Sequence, residues 1–168
     1  HEPALAPAHQ ITPKTRPKWW VFHFQNAANL PCKRPLPAGA LKGPKMIKYT
    51  PGDDVGPLDH WPFDNPASDY RITKGAPKTF GRIDKGGDGH TSRYGIWRCT
   101  KGAFECTEQG DELMTVLSGK CRITWLDSGE TRDLAPGDAL FVEHGNRVQW
   151  DVTEDLTKVF FGCKPDGY

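Results

Sequence analysis

The sequence has 168 residues, a formal net charge of +1 and only 36% hydrophobic residues. At about 100–200 residues per domain, that length favours one domain over two. Six Trp, eight Phe and four Tyr exclude a disordered chain, because chains without a core are poor in such residues. No apolar run reaches the roughly 18 residues of a membrane-spanning helix, and the near-zero charge argues against a dedicated nucleic-acid binder.

The averages combine two unlike halves. Twelve of the 15 prolines fall in residues 1–66, and residues 1–48 carry eight Lys or Arg against one acid, Glu2. Proline lacks a backbone donor and restricts the residue before it, so this stretch is neither regular helix nor central strand. Residues 1–17 read as a flexible tail and 18–78 as a proline-rich extension wrapping the rest. Within it, Trp19-Trp20-Val21-Phe22-His23-Phe24 is aromatic and β-prone. That run is expected to dock on the body or to cross to a second copy. Asp59-His60-Trp61-Pro62-Phe63 is a second anchoring point. The remainder holds 14 basic and 20 acidic side chains, so arm and body are electrostatically complementary.

From residue 79 the pattern becomes regular. Short strand-like segments recur at Arg93–Cys99, Ala103–Glu108, Glu112–Leu117, Cys121–Leu126, Ala139–Val142, Arg147–Val152 and Leu156–Phe161. Turn signals separate them, among them Lys101-Gly102, Ser118-Gly119, Pro136-Gly137-Asp138 and Gly145-Asn146. Strands at this spacing with no long helical period predict an all-β barrel over 79–163, followed by a short tail at 164–168. Alternation in Arg122-Ile123-Thr124-Trp125 and Val148-Gln149-Trp150 puts one set of side chains inside.

The order of these residues resembles the cupin family, whose members are jelly-roll barrels (a double-stranded β-helix). Glu112, followed by six residues and Gly119, is similar to the end of the first cupin motif. Pro136-Gly137-Asp138 through Gly145 is similar to the second, and 17 residues lie between Gly119 and Gly137. Gly95-Ile96-Trp97, Gly102-Ala103-Phe104 and Trp150-Asp151-Val152 through Lys158 narrow the resemblance to one branch. That branch holds the small ethanolamine-utilisation cupin and ureidoglycine aminohydrolase. Many cupins hold Mn, Zn, Fe or Ni through two His and a Glu from the first motif and a His from the second. Here the two first-motif His positions carry Cys106 and Glu108, the second-motif one carries Val148, and no His-x-His exists. Two readings stand. One is a variant divalent-metal site of Cys106, Glu108 and Glu112; the other is a barrel without its metal.

Glu108 and Glu112 are also candidate catalytic groups, since two carboxylates in an aromatic-walled cavity acquire raised pKa values. Lys158 matches a lysine of that branch and is a partner for Glu112. His144, in the turn beside Gly145, is a candidate base if a bulge turns it inward. Trp97, Phe104, Met114, Trp125 and Trp150 are the expected cavity lining, with Arg98 or Gln149 as further polar candidates and His60 or His90 reaching in from outside.

The sequence therefore predicts a small-molecule ligand inside the barrel, a homodimer, and no nucleic-acid or membrane partner. Its concrete form is a hydrolase or lyase acting on an amine- or ureido-bearing compound; the alternative is a non-catalytic binding or assembly scaffold. Five cysteines without a CxxC pair read as reduced, cytoplasmic usage. A start at His1 leaves a cleaved tag and a cleaved signal peptide both open.

Overall fold

The computed structural model describes residues 46–168; the expectations for the tail, for Trp19–Phe24 with its His23, and for Cys32 lie outside them. The described chain runs through β1 (Asp59–His60), a 3₁₀ turn (Pro66–Ser68), β2 (Arg71–Lys74), β3 (Thr79–Gly86) and β4 (Ser92–Cys99). It continues through β5 (Gly102–Thr107), β6 (Asp111–Trp125), β7 (Thr131–Leu134), β8 (Ala139–Val142) and β9 (Arg147–Cys163). No α-helix occurs among these residues, and no helix is long and apolar enough to cross a membrane. The all-β jelly-roll expectation therefore holds.

All nine strands pair antiparallel in one curled sheet. Its path runs β1-β3-β4-β9-β5-β2, and β6 pairs with β7, β8 and β9. Two pairs of predicted strands prove continuous. Glu112–Leu117 and Cys121–Leu126 fuse into β6, and Arg147–Val152 and Leu156–Phe161 fuse into β9. The two long strands pair along most of their length, with register shifts between Val116 and Cys121. Gly119 supplies the bend at φ +78, and a Cβ there would come within 2.1 Å of the Asp155 carbonyl oxygen. A left-handed backbone and a close approach both require glycine at that point.

The core follows from alternation. Phe104 and Cys106 of β5, Met114 and Val116 of β6, and Val148, Trp150 and Val152 of β9 point into one cluster with Leu156 and Phe160. Each large side chain among them contributes about 1.5–3 kcal/mol by leaving water. Strands β1 and β2 lie in the proline-rich region, and both sit at the ends of the path, where missing donors cost least. Trp61 and Phe63 pack on the core, the Trp61 ring so close to Gly81 that a Cβ there would lie 2.4 Å from it. Upstream, Gly52 N–H donates to the Leu117 carbonyl, Tyr49 Oη to Asp84, and Arg82 to the Val55 carbonyl. These bonds bind the segment before β1 to the barrel's outside.

Candidate functional site

A cavity of about 200 Å³ opens at one end of the barrel. Strand parity explains who faces it. Cys106 stands two residues from Phe104 on β5 and opposite Val148, while Phe104 pairs with Trp150. On the other side Trp97 of β4 lies opposite Lys158 of β9. Glu108 follows β5 in a loop that exchanges two backbone hydrogen bonds with the 143–146 turn: its N–H donates to the Asn146 carbonyl at 3.0 Å, and its carbonyl accepts from Gly145 at 2.9 Å.

Lys158 is the centre of the arrangement. Its side chain is 6% exposed, and its ammonium donates to Glu112 Oε1, in an ion pair with that carboxylate. The same nitrogen lies 4.5 Å from the Trp150 ring centroid and 4.9 Å from that of Trp97, and 3.6 Å from Met114 Sδ. A buried ammonium needs this company, since a desolvated charge without a partner is strongly unfavourable. Glu108 is held differently: Trp150 Nε1–H donates to its Oε1 at 3.3 Å and the Cys106 thiol approaches the same oxygen at 3.7 Å. Burial, seconded by the neighbouring Glu112 charge, lifts the Glu108 pKa above the ordinary carboxylate range, against opposing pulls from Lys158, Trp150 and Cys106. Burial likewise pushes the Cys106 thiol up, away from thiolate.

These residues do not fit a divalent metal. Among the described residues no group of three or more His, Cys, Asp or Glu side chains is arranged to hold one. The position of a counter-ion beside Glu112 is taken by the Lys158 ammonium. The expected Cys106–Glu108–Glu112 set is thus not gathered into a ligand cluster among the described residues.

Other expected residues are distributed unevenly. Trp97, Phe104 and Trp150 line the cavity with Glu108 and Glu112. Met114, 1% exposed, lies beneath Lys158 and outside the lining. Trp125 is 37% exposed and borders a separate hollow with Ile123, Phe141 and Val148; it shares a strand with Glu112 but sits at the far end. His144 stays exposed at the turn, where its Nδ1 accepts the Gly110 N–H at 2.8 Å and its own N–H donates to Asp111 at 2.9 Å. No bulge turns it inward, so it fixes the loops around Glu108 instead of facing the cavity. Arg98 donates to Thr157, His60 packs on Phe80, and His90 contacts the Asp88 carbonyl. None of the three lines the cavity, nor does Gln149.

Sequence reasoning missed Trp61, Tyr70, Arg93 and Phe160 in the lining. For Arg93 the signal was available: parity along β4 places it on the face of Trp97 and Cys99. Trp61 and Tyr70 come from the segment before β3 and carry no period to read.

Comparison with known proteins agrees with this geometry. Residues 86–160 match the family described as the EutQ-like cupin domain. No curated protein matches the chain. Among solved structures, the chain is similar to a putative ethanolamine utilization protein Q from Salmonella typhimurium, at 18% identity over 53% of this chain and 70% of that one, with a TM-score of 0.44. It is similar to the EutQ protein of Clostridium difficile at 17% identity, 64% and 78% coverage and a TM-score of 0.48. A Pseudomonas syringae protein of unknown function gives 20% identity, 65% and 45% coverage and a TM-score of 0.53. Only the last of these exceeds a TM-score of 0.5, and at 20% identity it speaks to fold alone. With the family match over residues 86–160 and a curled antiparallel sheet around one core, these residues form a small cupin domain resembling EutQ.

Proposed function

We propose that the barrel binds a small metabolite in the cavity bounded by Trp97, Trp150, Glu108 and the Glu112–Lys158 pair. The observation that carries this reading is Glu108: a carboxyl with a raised pKa lining an open cavity, oriented by the Trp150 N–H. A purely structural core has no use for such a group, whereas ligand recognition and proton transfer both do. A volume of about 200 Å³ restricts the ligand to a small one.

In the enzymatic form of the proposal, Glu108 exchanges a proton with a hydrolase or lyase substrate of the amine- or ureido-bearing type. Lys158 and Glu112 then set the local field without a metal. Closure of Lys158 on Glu112 favours a second reading, binding without turnover, because that pair already satisfies its own charges. A thermal-shift and ligand-detected NMR screen of amines, ureides and sugar acids tests the shared claim. Binding that weakens at least tenfold in Glu108→Gln supports it. A screen in which no compound binds, or in which Glu108→Gln leaves every response unchanged, overturns it. Turnover of a bound compound, followed by NMR over hours, separates enzyme from binder.

A further inference from the structure

The geometry points to a small organic monoanion, a carboxylate, as the ligand class, anchored by Arg93. This inference rests on the cavity reading above and adds to it the charge of the ligand.

Three ionisable residues of the lining have their interactions assigned. Lys158 and Glu112 neutralise each other, and Glu108 accepts from Trp150 and Cys106. Arg93 is the exception. It lines the cavity, yet its Nε is buried with no hydrogen-bond partner, and it enters none of the ion pairs among the described residues. A buried guanidinium donor is costly to leave unmatched, so an acceptor brought by the ligand relieves it.

The guanidinium is also held in place. Its central carbon lies 3.9 Å from the Tyr168 ring centroid and 5.9 Å from that of Phe160. Two glycines make room for the Tyr168 ring. A Cβ at Gly110 would lie 2.6 Å from Tyr168 Oη, and one at Gly162 would lie 2.4 Å from it. Aromatic contacts orient the planar cation without neutralising it, and Tyr168 shares one of its donors, which leaves the unpartnered remainder for a carboxylate. Cation and ligand charge then cancel within the lining, as Lys158 and Glu112 already do.

The test uses matched pairs of probes that differ only in charge: propionate against propionamide, and benzoate against benzamide. Binding is read by quenching of the cavity tryptophans and by NMR line broadening at constant ionic strength. The expected result is a preference of at least tenfold for each acid over its amide. That preference is abolished in Arg93→Gln, reduced but retained in Arg93→Lys, and unchanged in Arg122→Gln, which removes an exposed charge elsewhere. Equal binding of acid and amide to the unaltered protein overturns the anion assignment and leaves the cavity reading standing; a preference that survives Arg93→Gln overturns Arg93 as the anchor. Failure of all four probes to bind overturns the anion assignment, while the cavity reading stands or falls on its own screen of amines, ureides and sugar acids. The acid–amide comparison needs no variant, so it decides the matter even where Arg93→Gln fails to fold.

Discussion

Replacing Lys158 by Met removes one charge and leaves the hydrocarbon volume nearly intact, so it isolates the electrostatic role of the ammonium. Deleting one partner of a buried pair costs about 3–5 kcal/mol, because the other charge is left desolvated and alone. Here the Lys158 side chain is 6% and the Glu112 side chain 16% exposed. The stranded carboxylate thus keeps slight access to water, which places the loss near the lower end, about 3 kcal/mol. For a chain of this size that lowers Tm by roughly 6–12 °C. The partner variant Glu112→Gln leaves the ammonium between two indole rings and is expected to cost less. In the double variant no charge is stranded, and at least about 2 kcal/mol of the summed loss returns as coupling. Urea unfolding followed by tryptophan fluorescence, at neutral pH and extrapolated linearly, supplies all four corners of the cycle. A Lys158→Met loss below about 1 kcal/mol, or additivity within about 0.5 kcal/mol, would refute the view that this pair organises the polar end of the barrel.

Glu108 gives a pH signature of opposite sign to the usual carboxylate. Its folded pKa lies above the ordinary 4.5, so the native state binds the extra proton, and stability falls as pH rises from the ordinary value through the raised one. Relative to the unaltered protein, Glu108→Gln should therefore gain stability across that window and show little change below it; a pH-independent difference in denaturant midpoints would contradict the burial argument. Cysteine reactivity divides by depth: Cys163 is exposed, whereas Cys99, Cys106 and Cys121 are buried and burial raises their thiol pKa values, to about 12 for Cys99 and Cys121. Iodoacetamide on the folded protein, read by peptide mass mapping, should label Cys163 within minutes and the three others only on unfolding; early labelling of Cys106 would argue against its thiol form. Gly95→Ala would set a methyl group 1.9 Å from the Arg82 carbonyl oxygen. Strand β3 must then shift, at a cost of about 3 kcal/mol or more by denaturant unfolding, whereas a loss under about 1 kcal/mol would mean that the β3–β4 pairing is looser than described.

Much of the barrel was legible because alternation and turn glycines are local signals. Strands β4, β5 and β8 fall within a residue of their expected positions, since each is bounded by a break in the chain's own chemistry. Continuity of β6 was not legible. Ser118-Gly119 reads as a turn, and only pairing with the opposite strand reveals that the chain bends and goes on. That bend also changes parity: Met114 and Val116 face inward before it, Cys121 and Ile123 after it. Trp125 shares the inward parity of Ile123, but parity fixes a face and says nothing of the position along the strand. In the site, Glu108 and Glu112 could be found from spacing and resemblance, while the consequence of three missing histidines could not. It depends on where Lys158 points, a fact set by the opposite strand. The short strand β7 (Thr131–Leu134) went unpredicted because only Leu134 of its four residues is buried, leaving no alternation to detect.

A buried lysine paired with Glu112 alters what the cavity is able to do. A metal offers two positive charges and open coordination positions, and it brings both carboxylates to their anionic form. An ammonium offers one charge, tied to the chain and never exchanged, and here it is paired with Glu112, while the Glu108 pKa stays raised by burial. The second carboxyl is consequently left to the burial that favours its protonated form, a few residues of loop away from solvent. Polarity in this barrel is thereby split into a closed pair, Glu112 with Lys158, and two groups with capacity to spare, Glu108 and Arg93. Those two differ in kind: one exchanges a proton, the other holds a fixed positive charge. On the proposed reading, ligand recognition rests on hydrogen bonds and charge complementarity from side chains of β4, β9 and the loop after β5, and every one of those contributions can be removed one residue at a time.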